Sequence, residues 1–457
     1  MSTATLSEDG FVLPIAEASY PEPFAQGLEF NAPVRGPWNI VHMALMIPEA
    51  HLLYICARGC LRGVIMTAAE MGAMARMSWI GLTEDELTTG LLDARCFEAA
   101  EAILTKLSPK PPLVLLYLSC VHKFVQLDYP ALLAKLSARF PHIRFIDCHM
   151  MPTMRKSGPS DEERTKSKMY EALEEQKPEE KTVALIGNDW PLQRESLLFQ
   201  MLAQANYKLL ELATCQSYAD FQRLGSATYL LTTHLDALLA TQNLAKRLKR
   251  THLDLPASFA FSEIRANLTH LSETLAIPLP NLDEAEDKAV QALDTLKKEL
   301  ASRPITLDYT LTTRPLSLAR LLRQWGFALS CVFIDAISPL EWDDFCWLQK
   351  QAGDLLLIYT RAPYLRFEAL RRSRLGLQGD TVLALGQKAA YFSATDHFVN
   401  LTAGGGLSDY AGIIALCRHM QEASRKSKDR RTIIQLKGLG EPSCLCGTPC
   451  HPALQGS

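Results

Sequence analysis

Residues 113–120 read Leu-Val-Leu-Leu-Tyr-Leu-Ser-Cys and follow Pro111-Pro112. A continuous apolar run of this length, entered through prolines, fits a parallel strand covered on both faces. Its last pair, Ser119-Cys120, then stands at the carboxyl edge of a sheet, where ligand sites of open α/β sheets gather. The same grammar extends in both directions. Residues 51–56 (HLLYIC) read as a strand, 57–63 (ARGCLRG) as a glycine-punctuated turn and 64–77 as a helix. Residues 131–140 read as a helix and 143–148 (IRFIDC) as the next strand. From Thr182, TVALIGN runs into Gly187-Asn188-Asp189 and a helix over 191–205, a strand–turn–helix signature of βαβ units. The fuller glycine fingerprint of a dinucleotide site is absent. Strand and helix alternate again from ITLDYTL at 305–311 to DLLLIYT at 354–360.

The expected fold class is therefore α/β, with parallel sheets flanked by helices. The pattern divides into an N-terminal arm (1–30), a first α/β block with the candidate cysteines (31–180), a second (181–281), a third (282–425) and a Cys-rich tail (426–457). Residues 155–181 are charged and read as a solvated helix with a linker. Residues 282–301 alternate charged and apolar positions at helical spacing.

Composition narrows the function classes. The 457 residues are 48% hydrophobic and 21% charged, an ordinary globular balance. A net charge of −3 argues against broad nucleic-acid or anionic-membrane binding. The first ten residues, MSTATLSEDG, lack the layout of a signal peptide, and no apolar run reaches the ~20 residues that span a bilayer. The expected location is cytoplasmic. Twelve cysteines in so long a chain are too sparse for a disulfide scaffold, which leaves packing thiols, metal ligands or redox groups.

Three of those cysteines carry the first candidate site. Cys56 and Cys60 flank the start of the glycine-punctuated stretch, and Cys120 ends a strand that can lie beside it. Iron–sulfur clusters need thiolates that converge and amides that can approach the sulfides. Gly59 permits a close backbone approach. Arg58 and Arg62 can compensate negative charge. The same residues also read as two buried thiols beside a turn and one at a strand end. Cys96 and Cys148 are reserve ligands with packing as their first reading. In the tail, Cys444, Cys446, Cys450 and His451 lie within CLCGTPCH, a set able to bind zinc or a cluster, though not at zinc-ribbon spacing. Gly404-Gly405-Gly406 reads as a flexible loop whose amides could hold an anion, with His397 upstream and Asp409 as a helix N-cap.

With these residues in place the chain resembles nitrogenase component 1 and its relatives, including the nitrogenase-like tetrapyrrole reductases. Tyr54–Cys60 is similar to that family's strand and Gly-Cys turn, and Leu113–Cys120 to its next cluster strand. Val183–Asn188 resembles the start of its second domain. LAKRLKRTHLDLP (244–256) and His397…Gly406…Asp409-Tyr410-Ala411-Gly412 resemble later landmarks. The resemblance implies three Rossmann-like domains and an iron–sulfur cluster, of 4Fe–4S type, held by Cys56, Cys60 and Cys120. It also implies a separate ATP-dependent iron–sulfur reductase as electron donor, and a homologous partner subunit or a second copy at the cluster. Two departures stand out. NAPVRGPWN (31–39) lacks the family's earlier cysteine, so Cys56 takes its place in the expected set. TYLLTTHLDALL (228–239) offers His234 where catalytic nitrogenase subunits have a cofactor-binding cysteine, so dinitrogen reduction is not expected. The chain has no GxxxxGK[ST] sequence, which assigns ATP to another protein.

Three functions follow: a nitrogenase-like reductase subunit that relays electrons to an unidentified substrate, a scaffold for cluster or cofactor assembly, and a cluster-free small-ligand-binding protein.

Overall fold

In a computed structural model the strands follow in the order β1 (Val12–Pro14), β2 (His51–Ala57), β3 (Met77–Leu82), β4 (Leu113–Ser119), β5 (Arg144–Met150), β6 (Glu179–Leu185) and β7 (Lys208–Glu211). They continue as β8 (Ala227–Thr232), β9 (Thr251–Asp254), β10 (Ile305–Asp308), β11 (Leu329–Ile334), β12 (Leu356–Tyr359), β13 (Leu383–Leu385) and β14 (Phe398–Val399). The described residues are 10–25, 27–36, 40–88, 92–120, 122, 127–150, 158–367 and 379–435. Three sheets result, ordered β3-β2-β4-β5, β7-β6-β8-β9 and β1-β12-β11-β10-β13-β14. Among the described residues all strand pairs are parallel except β1 with β12. The fold class is α/β, as expected. Two compact units share the chain: Pro37–Asp189 with Lys208–Asp254 carries the first two sheets, and Trp190–Tyr207 with Leu255–Gly447 and the N-terminal segment carries the third. Among the described residues no helix is long and apolar enough to cross a membrane.

The first sheet is built around β4, whose seven residues are all buried. It pairs with β2 on one side and β5 on the other, so both faces are covered and no polar alternation is needed. On one face Leu53, Ile55, Leu116 and Leu118 pack against the helices Leu92–Lys106 and Tyr129–Arg139 through Cys96, Ala100, Leu104, Leu132 and Leu136. Tyr54 and Tyr117, one residue out of phase, point to the other face, where their rings stack at 4.6 Å.

Local structure departs from expectation at the end of β2. The stretch read as a turn is helical: the helix Arg58–Glu70 begins directly after Ala57 and takes in both Gly59 and Gly63. A Cβ at either glycine would meet nothing within 4 Å, so neither is required by crowding within this chain.

The charged segment also does more than face solvent. Its helix, Asp161–Glu171, starts with a capping box in which Ser160 accepts from Glu163 N and the Glu163 carboxylate accepts from Ser160 N. One face is nevertheless buried, with Thr165, Lys166, Met169 and Tyr170 turned inward. The Lys166 ammonium donates to the Gly187 carbonyl at 2.6 Å and to Asp236 Oδ2 at 2.7 Å, with Asp189 at 3.8 Å. A buried ammonium is tolerable only with such partners.

In the other unit, the N-terminal segment read as an extended arm contributes β1, which pairs Val12 with Ile358 and Pro14 with Leu356. The glycine triplet is not an open loop. Gly404, Gly405 and Gly406 have φ of +77°, +57° and +72°, and a Cβ on Gly406 would lie 2.1 Å from the Pro191 carbonyl oxygen. The amides of Gly404 and Gly405 donate to Leu311 and Thr402, which removes them as anion donors. Ser408, not Asp409, precedes the helix Asp409–Arg425. The Asp409 carboxylate still accepts from Ala411 N, and also from Leu198 N at the start of the helix Leu197–Gln204. His397 is structural here, with Nδ1 against the Ala423 carbonyl at 2.8 Å.

Candidate functional site at the carboxyl edge of the first sheet

From β2 the chain steps outward to β3, and from β4 outward to β5 on the opposite side. The crevice between the carboxyl ends of β2 and β4 is thus the topological switch point, the usual ligand position in such sheets. Ile55 pairs with Leu118, which brings Cys56 beside Ser119 and puts Cys120 just past the strand end. Cys60 follows one helical turn after Cys56 on the helix Arg58–Glu70. Cys56 is buried, Cys60 exposed and Cys120 half-buried.

Electrostatics tie the three thiols together. Burial pushes the Cys56 thiol up to about 12, hydrogen bonding with Ser119 opposes the rise, and Cys60 and Cys120 add to it as like charges. Burial raises the Cys60 thiol as well, with Cys120 again contributing. Cys56 thus lies near enough to Cys60 and Cys120 to feel both, and Cys60 near enough to feel Cys120. Among the described residues no three His, Cys, Asp or Glu side chains approach closely enough to share a single metal ion. A lone ion would draw thiolates to about 2.3 Å, whereas a cluster spreads its ligands over several irons. A set of three thiols at one sheet edge is the donor chemistry an iron–sulfur cluster uses.

Arg58 and Arg62 line a groove of 410 Å³ with Leu61, Ile65, Trp79 and Gly81. The Arg58 side chain lies over Gly81, where an added Cβ would meet its Cγ at 3.1 Å. The exposed Trp79 sits on β3, at the edge of the sheet.

The reserve cysteines are placed elsewhere. Cys96 is buried in the core on the Ile55 face, opposite to Tyr54 and Cys56. Cys148 pairs in register with Tyr117, deeper in the sheet than Ser119, and burial raises its thiol strongly. Cys444, Cys446, Cys450 and His451 lie outside the described residues. His234 stands at the carboxyl end of β8, ahead of the helix Leu235–Leu248, and burial lowers its imidazole. The contact of Ser119 with Cys56 is the feature of this edge that the sequence did not show. The only signal was the place of Ser119 before Cys120, because its pairing with Cys56 depends on register.

The family described as nitrogenase component 1 type oxidoreductase matches residues 39–361. No curated protein matches the chain. Among solved structures, Nitrogenase Cp1 at pH 6.5 superposes with a TM-score of 0.65 and 13% identity, covering 88% of this chain and 94% of that one. Nitrogenase Cp1 at pH 5 gives 0.59 and 11%, covering 92% and 94%. At these identities the two structures speak for the fold alone. The family match takes in the switch-point cysteines and runs through the second sheet into the third, so the chain belongs to the nitrogenase component 1 type oxidoreductase family.

Proposed function

We propose that Cys56, Cys60 and Cys120 hold an iron–sulfur cluster of 4Fe–4S type, and that the chain is an electron-relaying subunit of a nitrogenase-like reductase. The observation that supports this reading is the location of Cys56 at the switch point between β2 and β4, near enough to Cys60 and Cys120 to feel both. When bound, such a cluster supplies one-electron transfer at low potential. Cys56 anchors it from the sheet, where a buried strand end fixes the thiol. Cys60 approaches from the exposed side, and the guanidinium groups of Arg58 and Arg62 offset negative charge beside it. Ser119 is placed to donate a hydrogen bond to the Cys56 sulfur. Family membership supports a separate ATP-dependent reductase as donor and a partner subunit or second copy beside the cluster. The cytoplasm suits both.

Iron and acid-labile sulfide, measured on anaerobically purified protein and on Cys60→Ala, test the reading. About four irons per cluster site, lost in the variant, is the expected result. Equal iron in both proteins would sink it.

One observation favours a second reading, an assembly scaffold. The switch-point crevice of the second sheet, between β6 and β8, holds the chain's own Lys166 ammonium between Gly187, Asp189 and Asp236, with His234 nearby. That crevice does not fit a cofactor bound through cysteine. Transfer of the cluster to an apo-acceptor, without turnover when the reductase is supplied, would favour the scaffold.

A further inference from the structure

Beside the thiols, the groove between the helix Arg58–Glu70 and β3 holds charge that no described residue answers. Arg58 and Arg62 stand one turn apart on one face of the helix, and both line the groove of 410 Å³. Leu61, Ile65, Trp79 and Gly81 complete the lining, and none of them is acidic. Among the described residues neither guanidinium meets a carboxylate or another hydrogen-bond acceptor. Lys166 and Arg314, by contrast, each meet two carboxylates. Like charges four residues apart weaken a helix. This helix also begins at Arg58 without a side-chain cap, so its positive end adds to the same field.

The groove also has a flat, apolar side. A Cβ added at Gly81 would meet Arg58 Cγ at 3.1 Å, so the glycine lets the Arg58 stem lie close over the strand. Trp79 is two residues earlier on β3 and so shares that strand face. It is 40% exposed, an indole left open at the edge of the sheet. Leu61 and Ile65 add apolar surface from the helix. A flat ring can therefore stack on the indole while a charged substituent reaches the guanidinium groups.

We propose that this groove binds a mononucleotide, with the phosphomonoester on Arg58 and Arg62 and the base on Trp79. A phosphomonoester carries close to two negative charges at neutral pH, which matches the two unanswered guanidinium groups. A single carboxylate would leave one of them over. Guanidinium groups take phosphate oxygens through paired hydrogen bonds. An aromatic face stacks with any nucleobase. The groove volume of 410 Å³ lies within the range of small-molecule sites. Cys56, Cys60 and Cys120 do not line the groove, so the site does not depend on the cluster.

The test is calorimetric titration of the full, cluster-free chain with AMP, and with inorganic phosphate as the anion alone. Saturable binding of AMP at a single site is expected, about tenfold or more tighter than that of inorganic phosphate. Arg58→Gln and Arg62→Gln each weaken AMP binding by about tenfold or more. Trp79→Leu weakens it by about ten- to a hundredfold and leaves phosphate binding as it was. Cys60→Ala binds AMP as the parent chain does. Arg58, Arg62 and Trp79 are all exposed, so these variants should melt with the parent. Absence of saturable AMP binding, full affinity in an Arg58→Gln/Arg62→Gln double variant, or loss of binding in Cys60→Ala would overturn the proposal. So would AMP binding no tighter than inorganic phosphate, since the indole would then contribute nothing. Iron content of the same variants, prepared anaerobically, reads the cluster separately.

Discussion

Cys56 and Cys60 share a proposed role but not an environment. Cys56 is fully buried at a strand end, while Cys60 is exposed on a helix. Cys60→Ala should therefore strip iron while leaving the cluster-free melting curve within about 0.5 kcal/mol of the parent. Cys56→Ala should strip iron and also cost about 1 kcal/mol through the vacated volume. Iron analysis beside urea unfolding separates the two. A second residue ties stability to pH. Burial pushes the Glu341 carboxyl up from 4.5 to about 8, although it accepts from Leu316 N and Ser317 N and faces Arg314. Between those two values the folded chain keeps a proton that the unfolded chain has lost. The contribution of Glu341 is thus complete below about pH 4.5 and gone above about pH 8, and stability falls across the window. Glu341→Gln keeps an acceptor for both amides and should flatten that part of the profile, on the order of a few kcal/mol. Urea midpoints at about pH 5 and about pH 8 for both proteins decide it.

At the scale of elements, the glycines make opposite predictions. Gly406 has φ +72° and no room for a Cβ beside Pro191, so Gly406→Ala should cost more than about 2 kcal/mol. Gly59 lies inside a helix with open space around it, so Gly59→Ala should stabilise the cluster-free chain by about 0.5–1 kcal/mol. Thermal melts of the two variants should move in opposite directions. These glycines also show how far the sequence could be read. Strand β4 was legible because burial on both faces leaves a continuous apolar run. The helix after β2 was not, since Gly59 and Gly63 look like punctuation and only the close-following Ala57–Arg58 boundary reveals otherwise. The helix Asp161–Glu171 was read as solvated because its charges dominate the composition, yet Lys166 is turned inward by partners that lie far along the chain. The candidate thiols could be named from spacing and resemblance. The contact of Ser119 with Cys56 could not, because it rests on register.

At the scale of the molecule, Cys56, Cys60 and Cys120 fall in one of the two compact units. A ligand that binds only the folded state stabilises the part that holds it. Cluster loading should therefore slow amide exchange in β2, the helix Arg58–Glu70 and the end of β4, while leaving β10–β14 near their cluster-free rates. Hydrogen exchange of iron-loaded and iron-free protein measures this, and uniform protection across both sheets would count against local cluster binding at Cys56, Cys60 and Cys120.

Strand β1 adds a matter of timing. Its partner β12 lies more than three hundred residues further on, with the cysteine-bearing sheet encoded between them. At translation rates of about 5–20 residues per second, Val12–Pro14 waits roughly 20–70 s for Leu356–Ile358 to leave the ribosome. During that interval the sheet of β2–β5 has all its strands in hand. The nascent chain can thus present a finished set of thiols to iron delivery before the other unit can close.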